Sequence, residues 1–304
     1  TPFPSETGTE SGDFLAAAGP DTQTISGLGG DDSINGANVS GIRLYGGDGN
    51  DALYGGYDSM IEYYDLGKAE YERRHGRVKP GIGATLYGEA GNDKLDGGLL
   101  DDTQDGGADH DYLDGNLGDD TALGGLGNDV INGEEGQDDI QGNDGDDRLG
   151  GGAGADRLQG GAGNDQLYGD SDYQYVTWDG VNGFFIESYD LVGSFPVRKD
   201  APEAEAGDDV LEGGAGADRL FGGAGDDLLD GGTENDELQG EGGDDILFGR
   251  DGDDLLFGDS DVNALQNDAQ LTGTHGTYTT YYRERHVGPD GNDYLDGGAG
   301  DDKL

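Results

Sequence analysis

A nine-residue repeat is the feature that most constrains the fold of this chain. Residues 88–168 divide into nine consecutive nonapeptides, which begin with GEAGNDKLD and end with GGAGNDQLY. A second run of five nonapeptides covers 213–257, and partial or single copies lie at 27–35, 46–54, 207–212 and 288–304. A period of this kind indicates stacked, similar units rather than a single packed core.

Each position of the repeat has a physical role. Glycine at positions one, two and four permits the positive φ angles of tight turns. Position eight is nearly always Leu or Ile, with Gln104 and Ala122 as weak exceptions. The alternation of faces along a strand directs this side chain inward. We expect a strand over positions seven to nine only, so that two turns and two short strands form one coil.

Position six is the candidate metal-ligand position. It is Asp in 19 copies of the repeat. Carboxylates and the carbonyl oxygens of turns are the hard donors that Ca²⁺ prefers. The predicted calcium ligands are Asp32, Asp51, Asp93, Asp102, Asp111, Asp120, Asp129, Asp138, Asp147, Asp156, Asp165, Asp209, Asp218, Asp227, Asp236, Asp245, Asp254, Asp293 and Asp302. Asp at position five, as in Asp31 or Asp146, is interpreted either as a residue that assists calcium binding at some sites or, more often, as a solvated turn residue.

The composition favours a fold that depends on cations. With 67 acidic and 16 basic residues the formal net charge is −51, and 65 of 304 residues are glycine. A chain this acidic and poor in apolar residues is disordered unless bound cations offset the repulsion. Cysteine is absent, which excludes disulfides and thiolate metal sites. The acidic charge argues against nucleic acid as a partner, and no apolar stretch is long enough to predict a membrane span.

The repeat resembles the RTX family, the glycine-rich calcium-binding repeats of exported bacterial proteins. The resemblance implies an all-β fold, a calcium-bound parallel β-roll, in which position-six Asp residues two repeats apart and turn carbonyls bind Ca²⁺ between coils. It also implies type I secretion of an unfolded chain, folding outside the cell, and a secreted, extracellular or cell-surface location. No signal peptide is visible at the N-terminus, and we expect the chain to be a piece of a longer protein.

Three insertions interrupt the repeats. We predict a linker or a first strand leading into the roll at 1–20, and a β-roll over 21–304. Repeat runs lie at 27–54, 88–168, 207–257 and 288–304, and insertions at 59–84, 173–206 and 262–289. Each break begins with Asp in place of the position-four glycine. Pairs such as Asp170 and Asp172 are interpreted either as calcium sites at the end of a run or as plain turns.

Repeat counting predicts where the insertions leave the roll. Nine repeats separate the first two insertions and five separate the second from the third. If each insertion replaces one turn, an even number of repeat positions separates one insertion from the next. Because successive turns alternate between the two edges of a β-roll, all three insertions then leave from the same edge. The insertions carry most of the cations, nine of the sixteen Tyr residues and the only Trp. They are interpreted either as contact surfaces for another copy, a cell-surface protein or a glycan, or as caps folded back over the roll.

No catalytic motif is present, and we predict no enzyme activity. The four His residues do not form HExxH, and neither GDSD segment is a GxSxG elbow. The leading hypothesis is a calcium-dependent structural or adhesive segment of a secreted RTX protein that uses its insertions for self-assembly or surface attachment. The alternatives are a non-catalytic C-terminal secretion and folding domain of an exported protease or lipase, and a receptor-binding repeat region of an RTX toxin.

Overall fold

The computed structural model consists of short parallel strands in two compact units. It describes residues 5–18, 23–36, 39–55, 83–172, 176–178, 184–186, 199–200, 207–259, 293–298 and 300. Unit 1 comprises Thr1–Glu135 and Thr177–Phe185, and unit 2 comprises Gly136–Val176 and Ile186–Leu304. The described residues contain strands and turns and no helix. No described helix could therefore cross a membrane.

Unit 1 contains two parallel sheets, with strands that alternate between them along the chain. The first sheet consists of β1 (Ser5–Thr7), β3 (Thr24–Gly29), β5 (Arg43–Asp48), β7 (Thr85–Ala90), β9 (Thr103–Ala108) and β11 (Thr121–Leu126). The second sheet consists of β2 (Phe14–Ala16), β4 (Ser33–Asn35), β6 (Ala52–Tyr54), β8 (Lys94–Gly98), β10 (Tyr112–Leu117) and β12 (Val130–Glu135). This alternation is that of a β-roll, in which each pair of consecutive strands is one coil.

Unit 2 has the same alternation. Its first sheet consists of β13 (Asp139–Asp144), β15 (Arg157–Ala162), β21 (Val210–Ala215), β23 (Leu228–Thr233), β25 (Ile246–Asp251) and β27 (Tyr294–Asp296). Its second sheet consists of β14 (Arg148–Ala153), β16 (Gln166–Tyr168), β22 (Arg219–Ala224), β24 (Glu237–Gly242) and β26 (Leu255–Asp259). Four short strands lie in or beside the second insertion. They are β17 (Ser171–Asp172), antiparallel to β20 (Lys199–Asp200), and β18 (Val176–Trp178), which pairs with β19 (Phe184–Ile186).

The register confirms the expected coil of two repeats. Tyr112 pairs with Val130 and Leu113 with Ile131, 18 residues further along the chain. The expected strand length is wrong for most repeats. Strands such as β10 continue past position nine through the two glycine positions to position three. The pairing skips the glycine at position one and resumes at positions two and three, as Asn116 with Glu134 shows, so that the turn is confined to positions four to six.

The core of each unit is a double row of position-eight side chains. In unit 1, Ile25, Leu44 and Leu86 from the first sheet and Leu53, Leu95 and Leu113 from the second are fully buried. Gln104 and Ala122, the two weak positions, are also buried. The Gln104 Nε2 atom donates a hydrogen bond of 2.9 Å to the backbone oxygen of Asp114. This bond accommodates one end of the polar side chain inside the apolar row.

The segment before the first predicted repeat also forms a coil. β1 pairs with β3 and β2 with β4, both parallel. Residues 8–16 read GTESGDFLA, so Gly8, Asp13 and Leu15 fall at positions one, six and eight. The segment interpreted as a linker or a first strand therefore contributes two strands to unit 1.

The insertions replace the same type of connection in every case. The first follows β6 of the second sheet and precedes β7 of the first sheet. In unit 2, the second and third insertions also lead from a second-sheet strand to a first-sheet strand, β16 to β21 and β26 to β27. For unit 2 this confirms that both insertions leave from one edge. Apart from β18, β19, β20 and residues 83–84, the insertions lie outside the described residues.

Candidate metal centre

The position-six carboxylates stand in rows along the turns. In unit 1, Asp32, Asp51, Asp93, Asp111 and Asp129 follow first-sheet strands, while Asp102 and Asp120 follow second-sheet strands. In unit 2, the first type of turn carries Asp147, Asp165, Asp218, Asp236 and Asp254, and the second type carries Asp138, Asp156, Asp209, Asp227, Asp245 and Asp293. Asp302 lies outside the described residues. The structure thus brings together 18 of the 19 predicted residues as neighbours in successive coils.

Within a row, one carboxylate oxygen has a fixed partner in the preceding coil. The backbone N–H of Asp93 donates to Asp111 Oδ1 at 2.8 Å, and that of Asp111 donates to Asp129 Oδ1 at 2.8 Å. The same bond joins Asp165 to Asp218 at 2.7 Å across the second insertion. Because Oδ1 is held in this way, the side chain has a single orientation and its second oxygen is directed to a defined place.

The second oxygen is buried. Among the described residues, the Oδ2 atom is out of contact with solvent and accepts no protein hydrogen bond at Asp32, Asp51, Asp93, Asp102, Asp111, Asp165, Asp209, Asp218, Asp227 and Asp236. A buried carboxylate oxygen without a donor is strongly unfavourable unless a cation or a proton compensates it. A row of such oxygens is therefore a row of candidate cation ligands.

Glycine at position one leaves the space that this oxygen occupies. A Cβ atom on Gly88 would lie 2.4 Å from Asp93 Oδ2 and 2.4 Å from the carbonyl oxygen of Gly106 in the next coil. Gly106 has the same relation to Asp111 Oδ2, at 2.5 Å, and to the carbonyl oxygen of Gly124, at 2.7 Å. A carboxylate oxygen and a backbone carbonyl oxygen thus converge beside each of these glycines, which is why a side chain is excluded there.

Burial raises the pKa values of position-six carboxyl groups. Desolvation raises the pKa of Asp93 to about 8, and neighbouring carboxylates add to the shift. It raises the pKa of Asp111 to about 9 and that of Asp209 and Asp227 to about 8. In the absence of a cation these groups hold a proton near neutral pH. Since a divalent cation favours the charged form, the donor set fits a hard cation that replaces those protons.

Side chains alone do not complete a site. Within the described ranges, no three acidic or histidine side chains converge to hold a metal ion. The residues that would hold Ca²⁺ are therefore position-six carboxylates together with backbone carbonyl oxygens of the turns. Such a mixed, all-oxygen donor set is typical of calcium.

Position five forms a second ladder that sequence reasoning missed. Asp146 Oδ1 accepts a hydrogen bond of 2.8 Å from the backbone N–H of Asn164, and Asn50 Oδ1 accepts one of 2.8 Å from Asn92. His110 takes the same place, since its Nδ1 accepts the N–H of Asn128 at 2.7 Å. These bonds run toward the following coil, whereas the position-six bonds run toward the preceding one. The sequence signal for this ladder was the recurrence of Asp and Asn at position five.

Four positions depart from the predicted pattern. Asp13, which the repeat search passed over, accepts hydrogen bonds through Oδ2 from the Thr9 N–H at 2.7 Å and the Thr9 hydroxyl at 2.8 Å. In the turns of unit 1 that lead from the second sheet to the first, Ile42 and Ala84 occupy position six and are buried. Asp170 accepts backbone N–H bonds from Gly207 at Oδ1 and from Ala224 at Oδ2. Both carboxylate oxygens of Asp170 therefore have backbone donors, and its two interpretations both remain predictions.

Comparison with known proteins agrees with this geometry. The family model described as RTX calcium-binding nonapeptide repeat matches residues 18–38, 43–58, 85–104, 105–140, 141–173, 203–238, 230–265 and 287–304. The chain belongs to the RTX family. Its cofactor is accordingly Ca²⁺, bound at multiple sites. RTX repeat rolls are typically structural domains, and the two sheets described above are the parallel β-roll that the resemblance implied.

Comparison with individual proteins finds likenesses among the solved structures. A search of the curated proteins finds no match. A solved structure of a hyperactive, Ca²⁺-dependent, β-helical antifreeze protein from an Antarctic bacterium is similar to this RTX chain with 18% identity, covers 88% of each chain and has a TM-score of 0.32. That value is too low to support an argument about function.

Proposed function

We propose that this RTX chain is a non-catalytic, calcium-dependent structural and adhesive segment of a secreted protein, which folds on extracellular Ca²⁺. The observation that carries the proposal is the row of buried Oδ2 atoms, as at Asp93, Asp111 and Asp227, for which the described residues supply no hydrogen-bond donor. Metal binding and folding are then one event, because the unfolded chain cannot bring these carboxylates together. Release into a calcium-rich medium would trigger folding.

The position-six Asp residues are the proposed calcium ligands, together with turn carbonyls. Support comes from the fixed Oδ1 bonds, which orient each carboxylate, and from the glycine at position one, which admits the second oxygen. Ile42 and Ala84 offer no carboxylate, so we assign no acidic ligand to those two turns. Fewer ions would therefore bind along the turns of unit 1 that lead from the second sheet to the first than along the turns at the opposite edge.

The insertions are the proposed attachment elements. Their sequences are rich in Tyr and Arg, which are enriched at the energetic centres of interfaces. They project from a single type of connection and leave the ladders on either side in register, as the pairing of Leu158 with Leu211 shows. We propose that they serve self-association or binding to a cell-surface protein or glycan, and that calcium controls this role by folding the roll that carries them.

A calcium titration followed by circular dichroism and light scattering tests the proposal, with Mg²⁺ as the control ion. We expect a cooperative rise in β-sheet signal with Ca²⁺ and little response to Mg²⁺, which dehydrates reluctantly and requires stricter geometry. Growth in mass on folding supports self-assembly. Folding without growth in mass favours attachment to another partner, or the secretion and folding role of an exported enzyme. A chain that stays unstructured in calcium contradicts the proposal.

A further inference from the structure

Aromatic residues at position nine of the repeat lie next to the insertions. This position faces outward from the roll, because it follows the buried position eight by one residue. Among the described repeats it is aromatic at seven residues, each in the coil just before or just after an insertion: Tyr45, Tyr54, Tyr87, Tyr168, Phe221, Phe248 and Phe257. Coils away from the insertions carry residues such as Asp105, Gln141 and Gln239 there. This distribution links the rings to the insertions.

The rings stack on each other across the first two insertions. Tyr45 in β5 and Tyr87 in β7 have ring centroids 4.9 Å apart and an interplanar angle of 12°. Tyr168 in β16 and Phe221 in β22 have centroids 4.7 Å apart and an angle of 6°. β5 and β7 are neighbours in one sheet and β16 and β22 in the other, and an insertion separates each two in sequence. Each stack therefore joins the coil before an insertion to the coil after it.

The third insertion is spanned by an aromatic pair of different geometry. Phe248 in β25 and Tyr294 in β27 lie edge to face, with centroids 6.0 Å apart and an interplanar angle of 63°. The Arg250 guanidinium lies over the Phe248 ring, 4.5 Å from its centroid, and its Nε donates to Asp230 Oδ1 at 2.9 Å. An aromatic contact between adjacent strands thus accompanies each of the three insertions.

An insertion lowers the probability that the two coils beside it meet. Paired residues of an uninterrupted coil are 18 residues apart, whereas Tyr45 and Tyr87 are 42 apart and Tyr168 and Phe221 are 53 apart. The entropy of loop closure makes the longer segments about three- to fivefold less favourable to close. An aromatic pair in contact across two strands supplies a stabilisation of the same order.

The joint between β5 and β7 has a particular need of such a contact. Ile42 and Ala84 occupy position six in the turns that lead into these two strands, so no position-six carboxylate joins the turns. Tyr45 and Tyr87 lie three residues further along, where they provide a side-chain contact between the same two coils. That contact involves two rings and requires no metal ion.

We propose that each aromatic pair is a clasp that holds together the two coils on either side of an insertion. The clasp lies on the outer face of the sheet and offsets the cost of closing the longer connection. The inference goes beyond the proposed function, because the clasp acts on the roll whether or not an insertion binds a partner. Its test reads the local opening of strands and not an attachment activity.

Hydrogen exchange of the calcium-loaded full chain tests the first clasp. Tyr87→Ser removes one ring, and the control Leu123→Ser removes a half-buried apolar side chain at position nine of an uninterrupted connection in unit 1. We expect Tyr87→Ser to speed exchange in β5 and β7 by about threefold or more, and by more than Leu123→Ser speeds exchange in β9 and β11. Tyr87→Phe, which keeps the ring, should exchange like the wild type. Equal effects of the two serine substitutions on their own strands overturn the proposal.

A double-mutant cycle tests the second clasp independently. Tyr168→Ser and Phe221→Ser are measured alone and combined, by exchange in β16 and β22. Because either change removes the contact between the rings, we expect the double variant to lose little more protection than either single variant. Effects that multiply, as for residues that act separately, overturn the proposal. Circular dichroism in saturating calcium checks folding, and a serine variant that does not fold is replaced by leucine, which keeps apolar bulk without a ring and is read in the same way.

Discussion

The two oxygens of a position-six carboxylate have different tasks, as Asp111 illustrates. Its Oδ1 accepts the backbone N–H of Asp93, which links two coils, while its Oδ2 is buried and faces a carbonyl oxygen beside Gly106. Under the proposed function, one side chain thus combines a hydrogen-bond acceptor with a metal ligand. The repeat requires Asp at this position because both functions depend on a short side chain with two oxygens.

Asparagine at position 111 separates these tasks. Asp111→Asn keeps an oxygen for the N–H of Asp93 but removes the charge that a cation neutralises. We expect titration calorimetry to measure fewer bound calcium ions. At the sites next to position 111 we expect the affinity for calcium to fall on the order of tenfold. Asp144→Asn, an equal change in charge at an exposed position, is the matched control. Identical calcium binding in the two variants would exclude Asp111 as a ligand.

Glycine at position one is predicted to be irreplaceable for a steric reason. A Cβ at Gly106 would approach Asp111 Oδ2 to 2.5 Å, whereas a Cβ at Gly242 meets only one backbone oxygen, at 3.7 Å. We expect Gly106→Ala to destabilise the calcium-loaded roll by about 2 kcal/mol or more, and Gly242→Ala to change its stability little. Chemical denaturation in saturating calcium measures both. Similar midpoints for the two variants would contradict the convergence of oxygens described here.

At the scale of the element, a sequence repeat predicts which residues share a row but not how a turn is bonded. Asp and Leu at positions six and eight predicted the coil of two repeats and 18 neighbouring ligand candidates, and the family resemblance that they carry implied the fold class. The coil at residues 8–16 was missed because Thr9 and Ser11 stand where the pattern expects glycine. The position-five ladder was missed because Asp and Asn are equally common in solvated turns. Only the stacking of coils distinguishes these roles.

The rows of buried carboxyls predict an unusual dependence on pH for the calcium-free chain. The pKa of Asp93 is about 8 and that of Asp111 about 9 in the folded state, against an ordinary value of 3.8. Between these values the folded state binds more protons than the unfolded state, so stability falls as pH rises from about 4 to about 9. We expect metal-depleted protein to gain β-sheet signal in acid and lose it toward alkaline pH.

Calcium reverses the direction of this dependence. Binding requires the deprotonated carboxylates, so the calcium-loaded roll loses stability as the pH falls. Circular dichroism over the same pH range, with and without saturating calcium, measures both directions. A circular dichroism signal of the calcium-free chain that is constant between pH 4 and pH 9 would contradict the raised pKa values of the position-six carboxyls.

Gln104 is a weak point in the core of unit 1. Its side chain is fully buried, with one hydrogen bond to the Asp114 carbonyl and with an Oε1 atom that has no hydrogen-bond partner among the described residues. We expect Gln104→Leu to stabilise the calcium-loaded chain by about 1 kcal/mol, since it removes a buried acceptor without a donor. Leu113→Ala, in the opposite row, should destabilise it by roughly 2–5 kcal/mol. Denaturant unfolding in calcium compares them, and a destabilised Gln104→Leu variant would contradict this account.

At the scale of the whole molecule, stability is distributed along each unit as a series of contacts between neighbouring coils. Each coil bonds to the one before it through position six and to the one after it through position five, as with Asp218 and Asp236, or Asp226 and Asp244. Repeat proteins of this kind have stabilities that add up from repeats and their nearest interfaces. Damage to one coil is therefore expected to spread only to its neighbours.

A substitution in the middle of unit 2 tests this locality. We expect Asp218→Asn to accelerate hydrogen exchange in β22 and in its neighbours β16 and β24, and to leave β26 at its wild-type rate in saturating calcium. Mass spectrometry of peptides from each strand gives the rates. Acceleration that is uniform over unit 2 would mean that the coils unfold as one cooperative block.

The insertion-bearing turns have a consequence for how such a chain can change. Between β15 and β21 the pairing of Arg157 with Val210 keeps the strands aligned even though 53 residues separate them, where an uninterrupted coil has 18. The strand pairing does not depend on the sequence inserted in that turn, provided that the next strand begins one coil further along the roll. These turns of the roll thus tolerate inserted sequences, so a foreign peptide or small domain can be grafted there. Adding calcium would fold the roll and present the graft, and chelating calcium would unfold it.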